Sequence, residues 1–282
     1  MTRHDIILDG DNLREAYGIT LCKGSVANAI SLPPFKEMQR IDWQEEDFAQ
    51  VDASAPVFER KEFDVTLAGS LEYIDYWCAQ QYHHYVNVTI TNTPVELDKC
   101  KIERVTRYET LGALAKAVLR ISSDDDPYDL LNEHDSASSF SQMPYETPFR
   151  FMLDGTAVDF GEIGIRVLKG WRDELNWHPD IKKPLERDIS VVPAMICDTG
   201  GTPHFSGRRL SIQCLLHCGA SIQEFWDRWL FFLYMSTRPG EIEIISGGVA
   251  GNYIYSGMSV NEYIPSLPVP WLKFTITFEK VI

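Results

Sequence analysis

The sequence has no block rich in lysine and arginine. Its 26 basic residues are outnumbered by 41 acidic ones, which gives a formal net charge of -15. Because the binding of phosphate groups needs clustered Lys and Arg side chains, this composition argues against nucleic acid as a direct partner. We therefore expect no sequence-specific binding of nucleic acid, and we expect the charge to keep the protein in solution.

Long apolar runs are also absent. The most apolar window, Trp226 to Met235, still contains Asp227 and Arg228, and no stretch approaches the 18 apolar residues of a membrane-spanning helix. The segment from Met1 to Asp5 is polar and lacks the apolar run of a signal peptide. These features predict no membrane partner and a protein that is made in a cytoplasm and stays soluble there.

Cysteines are few for a chain of this length. Six are spread over 282 residues, and only Cys214 and Cys218 are near neighbours. In a chain without a secretory signal, such dilute cysteines are typical of small buried thiols and not of a disulfide framework. Cys22 and Cys214 fit this interpretation because both lie in strand-like runs.

The common catalytic and metal-binding motifs are missing. There is no Gly-x-Ser-x-Gly elbow, no phosphate-binding glycine loop, no His-x-x-x-His and no Cys-x-x-Cys. The run Asp124 to Asp126 lacks the glycine and the final glutamate of a calcium loop, so it is interpreted as part of a solvated linker. The sequence therefore predicts no catalytic residue, no cofactor and no metal.

One segment resembles the Asp-Thr-Gly signature of aspartic proteases, namely Asp198-Thr199-Gly200. That chemistry needs two carboxylates that share one proton, and Asp52 is the candidate for the second. Asp52 is followed by Ala53 and Ser54 instead of Thr-Gly, and both aspartates fall in loops where such residues form turns. A turn is favoured at both positions, with the hydrolase as an alternative.

What the sequence does contain is the same module twice. Leu8-Asp9-Gly10 returns as Leu153-Asp154-Gly155, and the segment from Gly18 to Gly24 returns from Gly164 to Gly170. Five later positions also match: Pro56, Phe58, Phe63, Val65 and Leu67 parallel Pro203, Phe205, Leu210, Ile212 and Cys214. The repeat predicts two tandem modules over residues 1–122 and 150–282, joined by residues 123–149.

Each repeat shows strand patterns around one helix. Residues 63–67 and 210–214 alternate apolar and polar, as half-buried strands do. Residues Ile222 to Leu233 instead follow the helical period, with Trp226 and Trp229 on the apolar face, and a weaker helix is indicated from Leu71. We predict a mainly β (α+β) fold of two small antiparallel barrels or sandwiches, each with one packed helix.

The connection between the repeats is acidic and rich in serine, and from Ser122 to Pro148 it has no Lys or Arg. Such a composition buries too little apolar surface to order itself alone, so it is interpreted as a linker or extended arm. Phe140, Met143, Tyr145 and Phe149 are candidates for docking on a neighbour.

With these features in place, each repeat resembles the module of tailed-phage tail and baseplate proteins: tail tube, baseplate hub and distal tail proteins. The resemblance rests on the opening Leu-Asp-Gly, the Gly-Ile strand that ends in Lys-Gly, the loop with Pro34 or Pro184, and the Pro-x-Phe segment before the next strand. The resemblance implies a split β-barrel flanked by a helix, with modules side by side in a ring around a central channel.

Two modules in one chain are similar to baseplate hub proteins, in which three chains form a pseudo-sixfold ring. The resemblance thus implies self-association, as a trimer of two-module chains or a hexamer, and contacts with other tail or baseplate proteins. It implies a place in a virion tail, or in a phage-derived machine, assembled in the cytoplasm of the bacterial host. Neighbouring modules of such a ring are expected to join edge strands into one continuous sheet.

Two alternatives from other classes stay open at this point. A β-rich ligand- or carbohydrate-binding module would need exposed aromatic side chains, for example Trp226 and Trp229 as a sugar platform. An aspartic-protease-like hydrolase would need Asp52 and Asp198 within hydrogen-bond reach of each other.

Overall fold

The structure is a computed structural model of the chain. It describes residues 4–42, 49–80, 84–135, 140, 147–153, 155–169, 182, 186–187, 196–197, 204–205, 209–217, 219–246, 249–266 and 269–281. We refer to residues 4–135 as the first half and to residues 147–281 as the second half.

Strands dominate both halves, and the mainly β class is confirmed. The strands of the first half are β1 Ile6–Leu8, β2 Asp11–Asn12, β3 Thr20–Leu21, β4 Arg40–Ile41, β5 Gln50–Val51, β6 Lys61–Ser70, β7 Val86–Ile90, β8 Glu96–Leu111 and β9 Leu114–Ser123. Those of the second half are β10 Phe149–Leu153, β11 Thr156–Asp159, β12 Ile165–Lys169, β13 Glu186–Arg187, β14 Ile196–Cys197, β15 Arg209–Leu216, β16 Ile242–Ser246, β17 Val249–Ile264 and β18 Trp271–Val281.

Each half builds one seven-stranded sheet, and the two sheets have the same plan. The first has the order β2-β1-β7-β8-β9-β6-β3 and the second the order β11-β10-β16-β17-β18-β15-β12. Every pairing within them is antiparallel. The strands that the sequence indicated at residues 63–67 and 210–214 are β6 and β15, which lie second from one edge and not at the centre of each sheet.

The register of the two sheets also matches. Phe63 pairs with Ile121 and Leu67 with Ala117 in the first half. At the matching positions of the second half, Leu210 pairs with Phe278 and Cys214 with Phe274. The correspondence that the sequence suggested between β6 and β15 therefore extends to their partner strands, β9 and β18.

The helices are α1 Leu13–Tyr17, α2 Ser25–Ala29, α3 Leu71–Gln80, α4 Pro127–Leu131, α5 Phe160–Ile163 and α6 Ile222–Thr237, and a 3₁₀ turn covers Asn132–His134. The predicted helices are α3 and α6. Ser221 caps α6 by accepting a hydrogen bond from the amide of Glu224 at 3.1 Å.

Short helices that the sequence did not indicate accompany α3 and α6. In each half a helix of one turn follows the first hairpin: Asn12 caps α1 and Asp159 caps α5. Gly18 and Gly164 end these helices with positive φ angles of 66° and 91°, a conformation that glycine adopts without strain. The Gly-Ile pair of each repeat is thus a helix end as well as a strand start, and helices this short show no period in a sequence.

The core is continuous across the halves. One cluster of buried apolar side chains runs from Ile6, through Leu32 and Trp77, to Trp229 and Phe278. The two halves therefore share buried surface in addition to their covalent connection.

Candidate assembly interface

The first half covers one face of β17 with α2 and the segment that follows it. Tyr255 on β17 is 1% exposed, and its hydroxyl donates a hydrogen bond to the carbonyl of Leu32 at 3.3 Å. The rings of Phe35 and Phe58 lie 5.2 and 6.3 Å from its ring, in edge-to-face geometry. An aromatic residue of the second half is thus seated in a pocket that the first half makes.

A second contact joins β17 to the start of the first half. The Nδ1 atom of His4 donates to the carbonyl of Thr91 at 2.7 Å, and its Nε2 lies 2.9 Å from the hydroxyl of Tyr263. Burial lowers the pKa of His4 below its ordinary value. In the neutral ring, Nε2 is the acceptor for the Tyr263 hydroxyl. The pair therefore acts as a neutral hydrogen-bonded bridge between the halves.

Helix α6 lies at the same junction. Trp226 stacks on Tyr263 with a ring separation of 5.8 Å, and its indole N–H donates to the carbonyl of Asn92 at 2.8 Å. Trp226 is 4% exposed and Trp229 is fully buried. Their predicted role as core residues is confirmed, and these two side chains do not form a sugar platform.

The acidic connection contributes to this packing, so the prediction of a solvated linker is wrong for its first part. Asp126 caps α4, whose Leu131 is buried. The hydroxyl of Tyr128 donates to the carbonyl of Thr237 at the end of α6. The guanidinium of Arg228, which is fully buried on α6, lies 4.6 Å from the ring of Phe140. Docking on α6 supplies the apolar burial that the segment lacks by itself. Met143 and Tyr145 lie outside the described residues, and Phe149 is a buried residue of β10.

The aspartates from Asp124 to Asp126 hold neighbouring segments together through hydrogen bonds. Asp124 accepts hydrogen bonds from Arg60 and Tyr85, both at 2.8 Å. Asp125 accepts from the amides of Asp98 and Lys99. Each carboxylate thus fixes the point at which the chain leaves β9. Among the described residues, no group of three or more His, Cys, Asp or Glu side chains is arranged to hold a metal ion.

A smaller contact forms at the opposite end of β17. Ala53, Ile254 and Val281 make a separate buried cluster, and Val281 forms an isolated parallel bridge with Ala49. Arg40 and Glu279 form an ion pair at 2.5 Å at its margin. In the parts of the chain that the structure describes, the two large sheets share no strand pairing. The continuous sheet that we expected between neighbouring modules is therefore not how these two halves join.

A cavity of about 360 Å³ remains between the halves. It is lined by Ile30 and Lys61 of the first half, by Asp125, and by Trp229 and Leu233 of α6. Burial lowers the pKa of Lys61 to about 8.

Asp52 has the geometry of a turn residue. Its carboxylate accepts hydrogen bonds from the hydroxyl of Ser54 at 2.6 Å and from the Ser54 amide at 3.1 Å. These bonds hold the pKa of the exposed Asp52 below its usual value. Both bonds are local contacts within one turn, so this geometry is that of a turn residue. Asp198 lies outside the described residues.

The histidines that the structure describes apart from His4 are dispersed. The ring of His217 lies 4.2 Å from the ring of Trp271, His134 lies 3.9 Å from Asp227, and His84 is exposed. His83 and His178 lie outside the described residues. Cys100 and Cys214 are buried free thiols, and Cys22 and Cys78 are partly buried. Buried thiols were predicted correctly at Cys214, while Cys22 lies nearer the surface because β3 is an edge strand.

Sequence reasoning did not identify the residues that join the halves, above all His4, Leu32, Tyr255 and Tyr263. A signal for the tyrosines exists in the repeat. Both lie on the long strand β17, where the matching strand of the first repeat carries Ile102 and Thr110. An aromatic side chain that only one of two repeats carries indicates a contact that only this repeat makes.

No helix among the described residues is long and apolar enough to cross a membrane.

No protein-family model matches this chain, and no curated protein matches it. Among solved structures, the chain is similar to the crystal structure of SPP1 Dit, described as a paradigm of the hub adsorption apparatus in phages that infect Gram-positive bacteria. The similarity has a TM-score of 0.31 and 15% sequence identity. It covers 48% of this chain and 50% of Dit, so the chain spans about half the length of that protein.

Proposed function

We propose that this protein is a structural component of a phage or prophage tail or baseplate, built from two copies of one module and assembling with itself into a ring. The modules are residues 1–122 and 150–282, with 123–149 as the connecting arm. The sequence motifs that resemble tail and baseplate modules support this assignment. The single observation that carries it is the identical strand order of the two seven-stranded sheets.

The contact between the halves supports assembly by repetition. The two halves meet through different surfaces of the module. On the first half these are its start, α2 with Leu32 after it, and Asn92; on the second half they are α6 and β17. A head-to-tail contact of this kind leaves one unused face on each end of the chain, and repetition of it gives a closed ring or a filament. Three two-module chains, or six, are the ring sizes that we propose.

The proposed role is non-catalytic and needs no cofactor. Asp52 supports this part of the proposal because it is an exposed turn residue that bonds to Ser54. The further parts of the proposal, namely contacts with other tail proteins, location in the virion tail and assembly in the host cytoplasm, rest on the sequence resemblance.

Light scattering during size-exclusion chromatography tests the proposal on the purified full chain over a range of concentrations. We expect species with the mass of three or six chains, with a fraction that grows with concentration. A chain of 32.2 kDa that stays monomeric throughout this range would overturn the proposal of self-assembly.

A further inference from the structure

An exposed surface with several aromatic side chains lies on the first half, where the second half does not cover it. We call it the outer α3 strip, and it consists of Tyr73, Asp75, Tyr76 and Ala79 on α3 and of Tyr108 and Thr110 on β8. The exposed fractions of the three tyrosines are 43%, 51% and 39%. Tyrosine is enriched where proteins bind each other, because it offers a large rigid apolar area with one polar end.

The strip is one continuous surface. The hydroxyl of Tyr108 donates to a carboxylate oxygen of Asp75 at 2.5 Å, which ties β8 to α3. The amide of Leu71 donates to the carbonyl of Ala113, so the start of α3 lies against the turn between β8 and β9. Tyr17 packs on Tyr73 with a ring separation of 5.7 Å. The hydrogen bond holds Tyr108 in place, and the ring contact holds Tyr73, within the chain itself.

Part of the matching surface of the second half is covered. Counted from the first residue of each helix, Asp75 and Ala79 of α3 correspond to Trp226 and Leu230 of α6. Both α3 residues are exposed, whereas Trp226 and Leu230 are each 4% exposed. The tyrosines of α3 instead match Glu224 and Asp227, whose side chains stay 17% and 36% exposed. What covers them is the first half of the same chain, through Asn92 and the cavity wall at Ile30.

The long strands show the same contrast. Thr110 of β8 pairs with Ala115, and Tyr263 of β17 pairs with Leu272 at the matching position. Thr110 is exposed, while Tyr263 is 7% exposed and bonded to His4. The strand β8 is exposed over most of its length from Glu103 onward.

We propose that the outer α3 strip binds the second half of another copy of this chain, in the arrangement by which the first half covers α6 and β17 within one chain. This inference rests on the proposed function and names the surface through which the assembly forms. The repeat argues for a second copy as the occupant, because the positions of α6 and β17 that match Asp75, Ala79 and Thr110 are already covered by a module of this same chain.

The hairpin tips supply a matched control. Leu111 at the end of β8 is 81% exposed, and its counterpart Ile264 on β17 remains 36% exposed although the first half packs on β17. An apolar tip that stays exposed in the covered half lies outside the contact. Leu111→Arg should therefore leave assembly intact, while Ala79→Arg and Thr110→Arg, at the positions that match the covered Leu230 and Tyr263, should disrupt it.

The experiment compares wild-type chain with Ala79→Arg, Thr110→Arg and Leu111→Arg by light scattering, with thermal unfolding to show that each variant is folded. For the two strip variants we expect the concentration of half-assembly to rise at least about tenfold, which corresponds to about 1.4 kcal/mol per contact. For Leu111→Arg we expect no change. Strip variants that assemble like the wild type would overturn the inference and leave the proposed function standing. A wild-type chain that never assembles would overturn the proposed function and this inference with it.

A mixing experiment separates head-to-tail contact from contact between two strips. A tagged Ala79→Arg chain still has an intact second half, so it should capture untagged wild-type chain through the wild-type strip. It should not capture untagged Ala79→Arg chain. If the tagged variant fails to capture the wild type, the strips bind each other or another partner, and the inference is wrong.

Discussion

Helices α3 and α6 occupy the same place in the two sheets, after β6 and β15, yet they have different surroundings. α3 has 10 residues and exposes one face with Tyr73 and Tyr76. α6 has 16 residues and buries most of them, because the first half and the acidic connection both pack on it. The comparison teaches that the fold of a module sets where its helix lies, while the neighbouring module sets what the outer face of that helix must be.

The sheet residues under the two helices also differ, and those under α6 are larger. Ala117 of β9 corresponds to Phe274 of β18, by their pairing with Leu67 and Cys214. Phe274 packs against Trp229 and Phe232 of α6, with ring separations of 4.8 and 5.4 Å. The more deeply buried helix thus lies over a more aromatic sheet.

The largest effect should come from the centre of that aromatic core. Trp229→Ala deletes a fully buried ring and should lower the free energy of unfolding by about 3–5 kcal/mol. Tyr76→Ala on α3 is the matched control, and in the monomer it should change stability by no more than about 0.5 kcal/mol. Chemical denaturation measures both, and similar losses for the two variants would remove the contrast between the helices.

The next effect tests the buried charge that only α6 carries. Arg228 is fully buried, pairs with Glu224 at 2.8 Å and donates to the carbonyl of Glu162 at 2.9 Å. Arg228→Ala removes the cation of the ion pair with Glu224 and should cost about 3 kcal/mol, while Arg228→Met should cost less because it keeps the buried volume. Arg107→Ala, at an exposed position of β8, should be nearly neutral in the same denaturation assay. Equal costs at Arg228 and Arg107 would contradict the role assigned to the junction.

A smaller effect isolates one hydrogen bond between the halves. Tyr255→Phe keeps the ring between Phe35 and Phe58 but removes the donor to the Leu32 carbonyl, and it should cost about 1 kcal/mol. Tyr73→Phe on the exposed helix should cost nothing measurable in the monomer. Identical unfolding curves for Tyr255→Phe and the wild type would show that the hydroxyl does not contribute to joining the halves.

The smallest effect concerns pH. The pKa of His4 is lowered by burial from its ordinary value of 6.5, so the unfolded chain takes up this proton at a higher pH than the native chain does. Stability from this site is complete above pH 6.5 and declines as the pH falls below it. His4→Gln should flatten the dependence between pH 6.5 and about 5, above the range in which carboxylates titrate. A wild-type profile that is equally flat would contradict the neutral bridge to Tyr263.

The longer elements of this fold could be predicted from the sequence, because their apolar residues follow the period of a strand or a helix. The alternation in β6 and β15 and the helical period of α6 were sufficient to place those elements. The short helices α1 and α5 were missed, since four or five residues show no period. The ordering of α4 was missed because it depends on docking against α6, and composition alone does not report such tertiary contacts.

The candidate interface was harder to predict for the same reason. His4 and Tyr263 are far apart in the sequence and carry no motif, and their meaning arises only from the packing of one half on the other. The tyrosines of α3 were not recognised because an exposed aromatic residue on a helix has no distinctive pattern in one sequence. Comparison of the two halves identifies the interface residues, since a position that is covered in one half can be exposed in the other.

Electron microscopy of the assembled full chain tests the central claim that the contact within one chain is repeated between chains. The account predicts closed rings whose two-dimensional averages show similar lobes, two for each chain, and therefore six lobes for a ring with the light-scattering mass of three chains. Rings or particles in which two chains meet through the same face, with a two-fold axis between their outer α3 strips, would contradict it.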